Sequence, residues 1–120
     1  MTTRKDILDS ALKCVNGDRD QQYGSPEDSF RTIAEFWDSY ISSRYPEFRM
    51  KGMCIDPVDV ASMLALLKVA RISGGQAKDD NWIDLAGYAA CGGEIQSTDN
   101  DSIQTVESTN LSDTIAERLG

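Results

Sequence analysis

The sequence has no histidine. That absence removes the usual general base near neutral pH and the commonest zinc ligand. It also rules out every Ser-His and Cys-His nucleophile pair. Cysteine is sparse: Cys14, Cys54 and Cys91 are odd in number and far apart. They suit reduced thiols better than a disulfide frame or a zinc site. Basic residues are outnumbered, with 12 Lys and Arg against 20 Asp and Glu, a net charge of -8. Such a surface cannot release counterions from a phosphate backbone, so a nucleic-acid polymer is not an expected partner. A small nucleotide stays possible, because a bound metal can meet its charge. No apolar run approaches the length of a membrane span, and "MTTRKDILDS" lacks the apolar region of a signal peptide. The expected location is the cytoplasm, that of the host if the chain is phage-encoded. With carboxylates as the available ionisable groups, any catalysis must run through acids.

What is present is helical. No stretch alternates as a strand does, and Gly, Pro and Ser divide the chain into helical segments. Ile7, Leu8, Ala11, Leu12 and Val15 recur at helical spacing, predicting a helix from about Thr3 to Val15. Ser25 and Pro26 open a second helix, with Phe30, Ile33, Ala34, Trp37 and Ile41 on one stripe. Pro46 and Gly52 mark a loop after it. Asp56 and Pro57 open a third helix, "VASMLALLKVARI", apolar nearly all round and therefore expected at the centre. Ser73-Gly74-Gly75 ends it. A fourth helix begins near Asp79 and is expected to stop at Gly92-Gly93. The expectation is an all-α fold of four main helices over residues 1–96.

Residues 97–120 read as an acidic polar tail. Asp99, Asp101, Glu107, Asp113 and Glu117 face only Arg118, half of the net charge in a fifth of the chain. The tail is expected to be dispensable for folding. "LSDTIAERL" is a possible short helix within it, with Leu111, Ile115 and Leu119 on one side. A single small domain with an all-round apolar helix is also expected to self-associate, as a dimer or higher oligomer.

Three sets of residues could carry chemistry. Asn81, Asp84 and Tyr88 share one face of the fourth helix, with Asp80 at its edge. Oxygen groups so spaced can hold a hard cation such as Mg2+. The plain alternative is that Asp80 favours the helix start and Asp84 is solvated or paired. Lys68 and Arg71 lie one turn apart on the third helix. They could meet Asp80 or Asp84 as structural ion pairs, or meet phosphate oxygens. Asp56 and Asp59 form D-x-x-D at a helix start, where capping alone accounts for both. Asp59 projects opposite Lys68 on the wheel, so one pocket could gather all these groups only if a neighbouring chain contributed. Tyr23, in "RDQQYGSP", precedes a helix start able to take an anion, although an ordinary turn explains it as well.

The segments "RDQQYGSPEDSFRTIAEFW", "DPVDVASMLALLKVARI" and "DDNWIDLAGYAACGGEI", in that order, resemble a small phage and prophage protein family. That family in turn resembles the all-α MazG-like nucleoside triphosphate pyrophosphohydrolases. The likeness covers about residues 1–96. It implies a helical, oligomeric fold and Mg2+-dependent cleavage of a nucleotide into monophosphate and pyrophosphate. In the MazG-like group, E-x-x-E and E-x-x-D on successive helices hold the metal. Asp56 and Asp59 stand where the first pair would be, and Asn81 and Asp84 where the second would be, with Asp80 in support. Lys68 and Arg71 would then neutralise phosphate, and Tyr23 or Tyr88 would touch sugar or base. Aspartates replace glutamates here, an asparagine replaces one acid, and the first pair sits at a helix start. No side chain stands out as a catalytic base, so the metal would have to activate the water. A non-catalytic protein that sequesters a nucleotide signal of host defence is the alternative function.

Overall fold

The computed structural model describes residues 1–16, 25–75 and 78–106, with residues 101–106 described by backbone alone. Five helices occupy these residues: α1 (Arg4–Asn16), α2 (Pro26–Arg44), α3 (Pro46–Met50), α4 (Pro57–Ser73) and α5 (Asp79–Val106). No strand occurs among the described residues. The all-α expectation holds.

The helix starts follow local chemistry. At α1, the Thr3 hydroxyl accepts from the Asp6 amide at 3.1 Å and the Thr3 amide donates to Asp6 at 3.0 Å. These bonds hold the exposed Asp6 carboxyl below its ordinary value, the backbone bond most of all. Their contribution is present above the ordinary carboxylate range and fades as pH falls through the lowered value. At α2, the Ser25 hydroxyl accepts from the Asp28 amide at 3.2 Å. Pro26, Pro46 and Pro57 each occupy a first helical position, where the missing N–H costs nothing.

Two contacts fix α4 and α5 as an antiparallel hairpin. Lys68 pairs with Asp84, and Gly92 lies against Ala61. On the other side of α5 runs α1, parallel to it. The Thr2 hydroxyl donates to Asp79 at one end, and Val15 lies on Gly87 further along. Meanwhile α2 packs chiefly on α4, and its Phe30 ring meets Tyr88 of α5 at 6.3 Å between centroids. Phe30, Ala34, Val60, Ala61 and Ile95 form the buried core, flanked by Ile33, Trp37, Ile55, Val58, Leu64, Tyr88 and Cys91.

Three expectations are corrected. The segment after Pro46 is not simply a loop, because Pro46–Met50 closes one helical turn, α3. The last helix does not stop at Gly92-Gly93: α5 continues to Val106. The reason lies in packing. A Cβ on Gly92 would stand 3.0 Å from the Ala61 Cβ, whereas one on Gly93 would meet nothing within 4 Å. Gly92 therefore gives α4 room to approach, and tertiary contact overrides the cost of about 1 kcal/mol that glycine carries in a helix. The third correction concerns α4, which the described residues cover on one side only. Met63, Leu66, Leu67 and Val69 are exposed. On α5, Trp82 and Ala89 are exposed as well.

The Gly92 contact makes a measurable difference between adjacent glycines. Gly92→Leu should lower stability by about 1–3 kcal/mol through overpacking against Ala61. Gly93→Ala should raise it by up to about 1 kcal/mol through helix propensity. Denaturant titrations of the two variants check both signs. Equal effects would mean that α4 does not lean on Gly92.

Candidate functional site

The α4–α5 hairpin carries seven of the nine residues that the sequence singles out, and Asp56, the α4 cap, adjoins it. Tyr23 lies outside the described residues. The other eight do not gather at one place.

At the open end of α4, Asp56 and Asp59 form a reciprocal cap. The Asp59 amide donates to Asp56 Oδ1 at 2.9 Å, and the Asp56 amide donates to Asp59 Oδ2 at 3.0 Å. Each carboxylate thus satisfies a backbone donor that the helix start leaves open. Near the other end, Lys68 Nζ lies 2.8 Å from Asp84 Oδ2, with the two side chains 11% and 15% exposed. The sequence left Asp80 or Asp84 as the partner of Lys68, and the structure selects Asp84. Arg71, one turn further on, is exposed. Asn81 is buried at 5% exposure, one turn before Asp84. Asp80 is exposed.

Tyr88 shares the face of Asn81 and Asp84, as the spacing implied. Its half-buried ring is tilted 49° against Phe30. The ring belongs to the rim of the core.

The two acid pairs are far apart. Twelve positions separate Asp56 from Lys68, about 18 Å along one helix. Asp84 is level with Lys68. Among the described residues, no three Asp, Glu, Cys or His side chains come together as a metal-holding group. Asp84 is also matched by a cation at hydrogen-bonding distance, and Asp56 and Asp59 each accept from a backbone amide. Within a single chain, the described acids do not fit a divalent cation, which needs several free oxygen ligands at once. What this arrangement can do is hold two helices in register and keep one ammonium group near the hairpin end.

Asp38 is a polar residue that sequence reasoning missed. Its Oδ1 accepts from the Ile55 amide at 2.8 Å, and Arg49 reaches Oδ2 at 3.3 Å. The carboxylate ties α2 and α3 to the residues just before α4, and so positions the Asp56 cap. Seventeen positions separate Asp38 from Ile55, so no local spacing signals the contact.

A family described as a domain of unknown function, DUF6378, matches residues 6–96. The chain belongs to this family. Two phage proteins of the same name are similar to it. The "Gene 55 protein" of Mycobacterium phage D29 is 33% identical over 85 residues, covering 71% of this chain and 50% of that protein. The "Gene 55 protein" of Mycobacterium phage L5 is 36% identical over 83 residues, covering 69% and 47%. The chain thus spans about half the length of these relatives. No solved structure matches. The family boundary at residue 96 falls inside α5, one residue beyond the buried Ile95. The likeness to phage proteins is shown. No helix among the described residues is long and apolar enough to cross a membrane.

Proposed function

We propose that this DUF6378 protein binds a nucleotide without cleaving it, on a MazG-like helical frame whose acids now serve the fold. The observation that carries this reading is the Lys68–Asp84 pair. An acid that would hold Mg2+ in a pyrophosphohydrolase is here matched by an ammonium group. The first pair of acids is likewise engaged in a helix cap. Lys68 and Arg71 lie towards the hairpin end, with Lys78 in the connection; Lys68 is buried, while Arg71 and Lys78 are open to solvent. Arginine and lysine at such a place suit phosphate oxygens. A phage protein of this kind would act in the host cytoplasm, where it could sequester a nucleotide signal of host defence.

The second reading is the Mg2+-dependent nucleoside triphosphate pyrophosphohydrolase itself. In its favour, D-x-x-D and N-x-x-D do lie on two adjacent, antiparallel helices. It requires the Lys68–Asp84 pair to open and further oxygen ligands to arrive.

One experiment separates these readings. The protein is incubated with a panel of nucleoside mono-, di- and triphosphates and cyclic nucleotides, with and without Mg2+. Mass spectrometry then scores the products and the nucleotide retained by the protein. Retention of an intact nucleotide is expected. Monophosphate and pyrophosphate appearing only with Mg2+ would replace this reading with the hydrolase. Neither retention nor cleavage of any member would exclude both.

A further inference from the structure

A strip of exposed rings runs along the second half of α2. Phe36 is 73% exposed and Tyr40 65% exposed, one turn apart on the same flank. Arg44 follows on that flank, and its guanidinium lies over the Tyr45 ring, 4.9 Å from the centroid. Asp38, which accepts from the Ile55 amide on the α4 side, sits about 160° round the helix from Tyr40. The strip therefore faces away from that contact. Its charge also stands out. Over residues 40–53, Arg44, Arg49 and Lys51 face only Glu47, in a chain of net charge -8.

This strip lies at the end of the bundle that α5 leaves. Ala34 clusters with Val60 and Asp38 holds Ile55, so α2 runs antiparallel to α4 and parallel to α5. Gly92 lies against Ala61, and Val106 is about 21 Å further along α5. On the α2 side, Ile55 and then Arg44 lie beyond Ala61 in the same direction, Arg44 by about 18 Å. Val106 and Arg44 are thus within a turn of the same level. The exposed Leu8 and Leu12 of α1 lie beside the first half of α5, and Met63, Leu66, Leu67 and Val69 lie on the part of α4 that leads away from this end.

We infer that the segment after Val106, which lies outside the described residues, docks on this strip, with Leu111, Ile115 and Leu119 against Tyr45, Tyr40 and Phe36. Reach, spacing and charge support this occupant. Residues 107–110 form a connection of the length that joins antiparallel helices. Leu111, Ile115 and Leu119 recur every four residues, as do Phe36, Tyr40 and Arg44, and rows of that spacing interlock. Glu107 follows Val106 directly, at the level of Arg44, so an acid meets a cation at the turn. Asp113 and Glu117 fall on the opposite side of the segment from its apolar row, towards water. Three aliphatic side chains on an open flank roughly offset the entropy of ordering the segment. Docked and undocked populations are therefore comparable, and the strip adds little to global stability. The inference does not rest on nucleotide binding.

Disulfide formation in the full chain tests it. In a Cys54→Ser background, Ile115→Cys with Tyr40→Cys should close a bridge within one chain roughly tenfold faster than Ile115→Cys with Met63→Cys. Peptide masses after digestion identify the bridge. Both Tyr40 and Met63 are exposed, so circular dichroism of the reduced variants should match the parent. Adding Leu111→Asp should remove the advantage of the Tyr40 pair, which a tether without docking would leave unchanged. Equal rates for the two pairs would overturn the proposal, and so would an advantage that survives Leu111→Asp. A Tyr40–Ile115 bridge found only between two chains would also overturn it and give the strip to a second copy.

Discussion

Asp84→Asn is expected to lower the melting temperature by roughly 10–20 °C. The substitution keeps the size of the side chain and one acceptor oxygen, but removes the charge that faces Lys68 at 2.8 Å. Both side chains are largely withdrawn from water, so the ammonium group is left sheltered without a counterion. Breaking such a pair from one side costs about 3–5 kcal/mol. Lys68→Met should cost a similar amount for the mirror-image reason. The double change, Lys68→Met with Asp84→Leu, should recover most of the loss, because removing both charges also removes the need to desolvate them. Thermal melts of the parent, Lys68→Met, Asp84→Leu and the double variant complete the cycle. A single Asp84→Asn that melts like the parent would mean that the pair contributes little to the fold. The double variant also carries a functional readout. If it melts normally and still retains a nucleotide, neither Lys68 nor Asp84 is needed for the ligand, and the exposed Arg71 and Lys78 are the cations to replace next.

Much of the fold was legible because its signals are local. Ser25-Pro26 and Asp56-Pro57 place two helix starts through neighbouring atoms alone. The stripe of Phe30, Ile33, Ala34, Trp37 and Ile41 gives the inner face of α2. Features that depend on distant residues were not legible. Gly92-Gly93 reads as a stop until Ala61 is known to lie against Gly92. "VASMLALLKVARI" reads as central, because periodicity cannot show that one of its faces has no neighbour among the described residues. The site follows the same rule. The face shared by Asn81, Asp84 and Tyr88 is a matter of spacing and was legible. Which acid Lys68 meets depends on the register of two helices, and the sequence alone left two choices. Asp38 was not legible at all, since its partners Arg49 and Ile55 reach it only once α3 has turned the chain back.

Phe30→Ala should cost about 3–5 kcal/mol, the range for emptying a buried aromatic site. Phe30 is 7% exposed and sits where α2 meets both helices of the hairpin. Its ring faces Tyr88 on α5, while Ala34, one turn on, lies in the same cluster with Val60 of α4. Few other large side chains support this core. Of the described residues, only Val60 among the larger ones is fully buried, so little is available to collapse into the gap that alanine would leave. The effect should also reach the candidate site, because Tyr88 would lose the surface that fixes its ring on the face it shares with Asp84. Phe36→Ala provides the contrast on the same helix. Phe36 is 73% exposed, and its removal should change stability by no more than about 0.5 kcal/mol. Denaturant titration of both variants decides the matter. Equal losses would place the α2 contact on a different face, whereas a large loss for Phe30 alone fixes α2 by its Phe30–Ala34 edge against the hairpin.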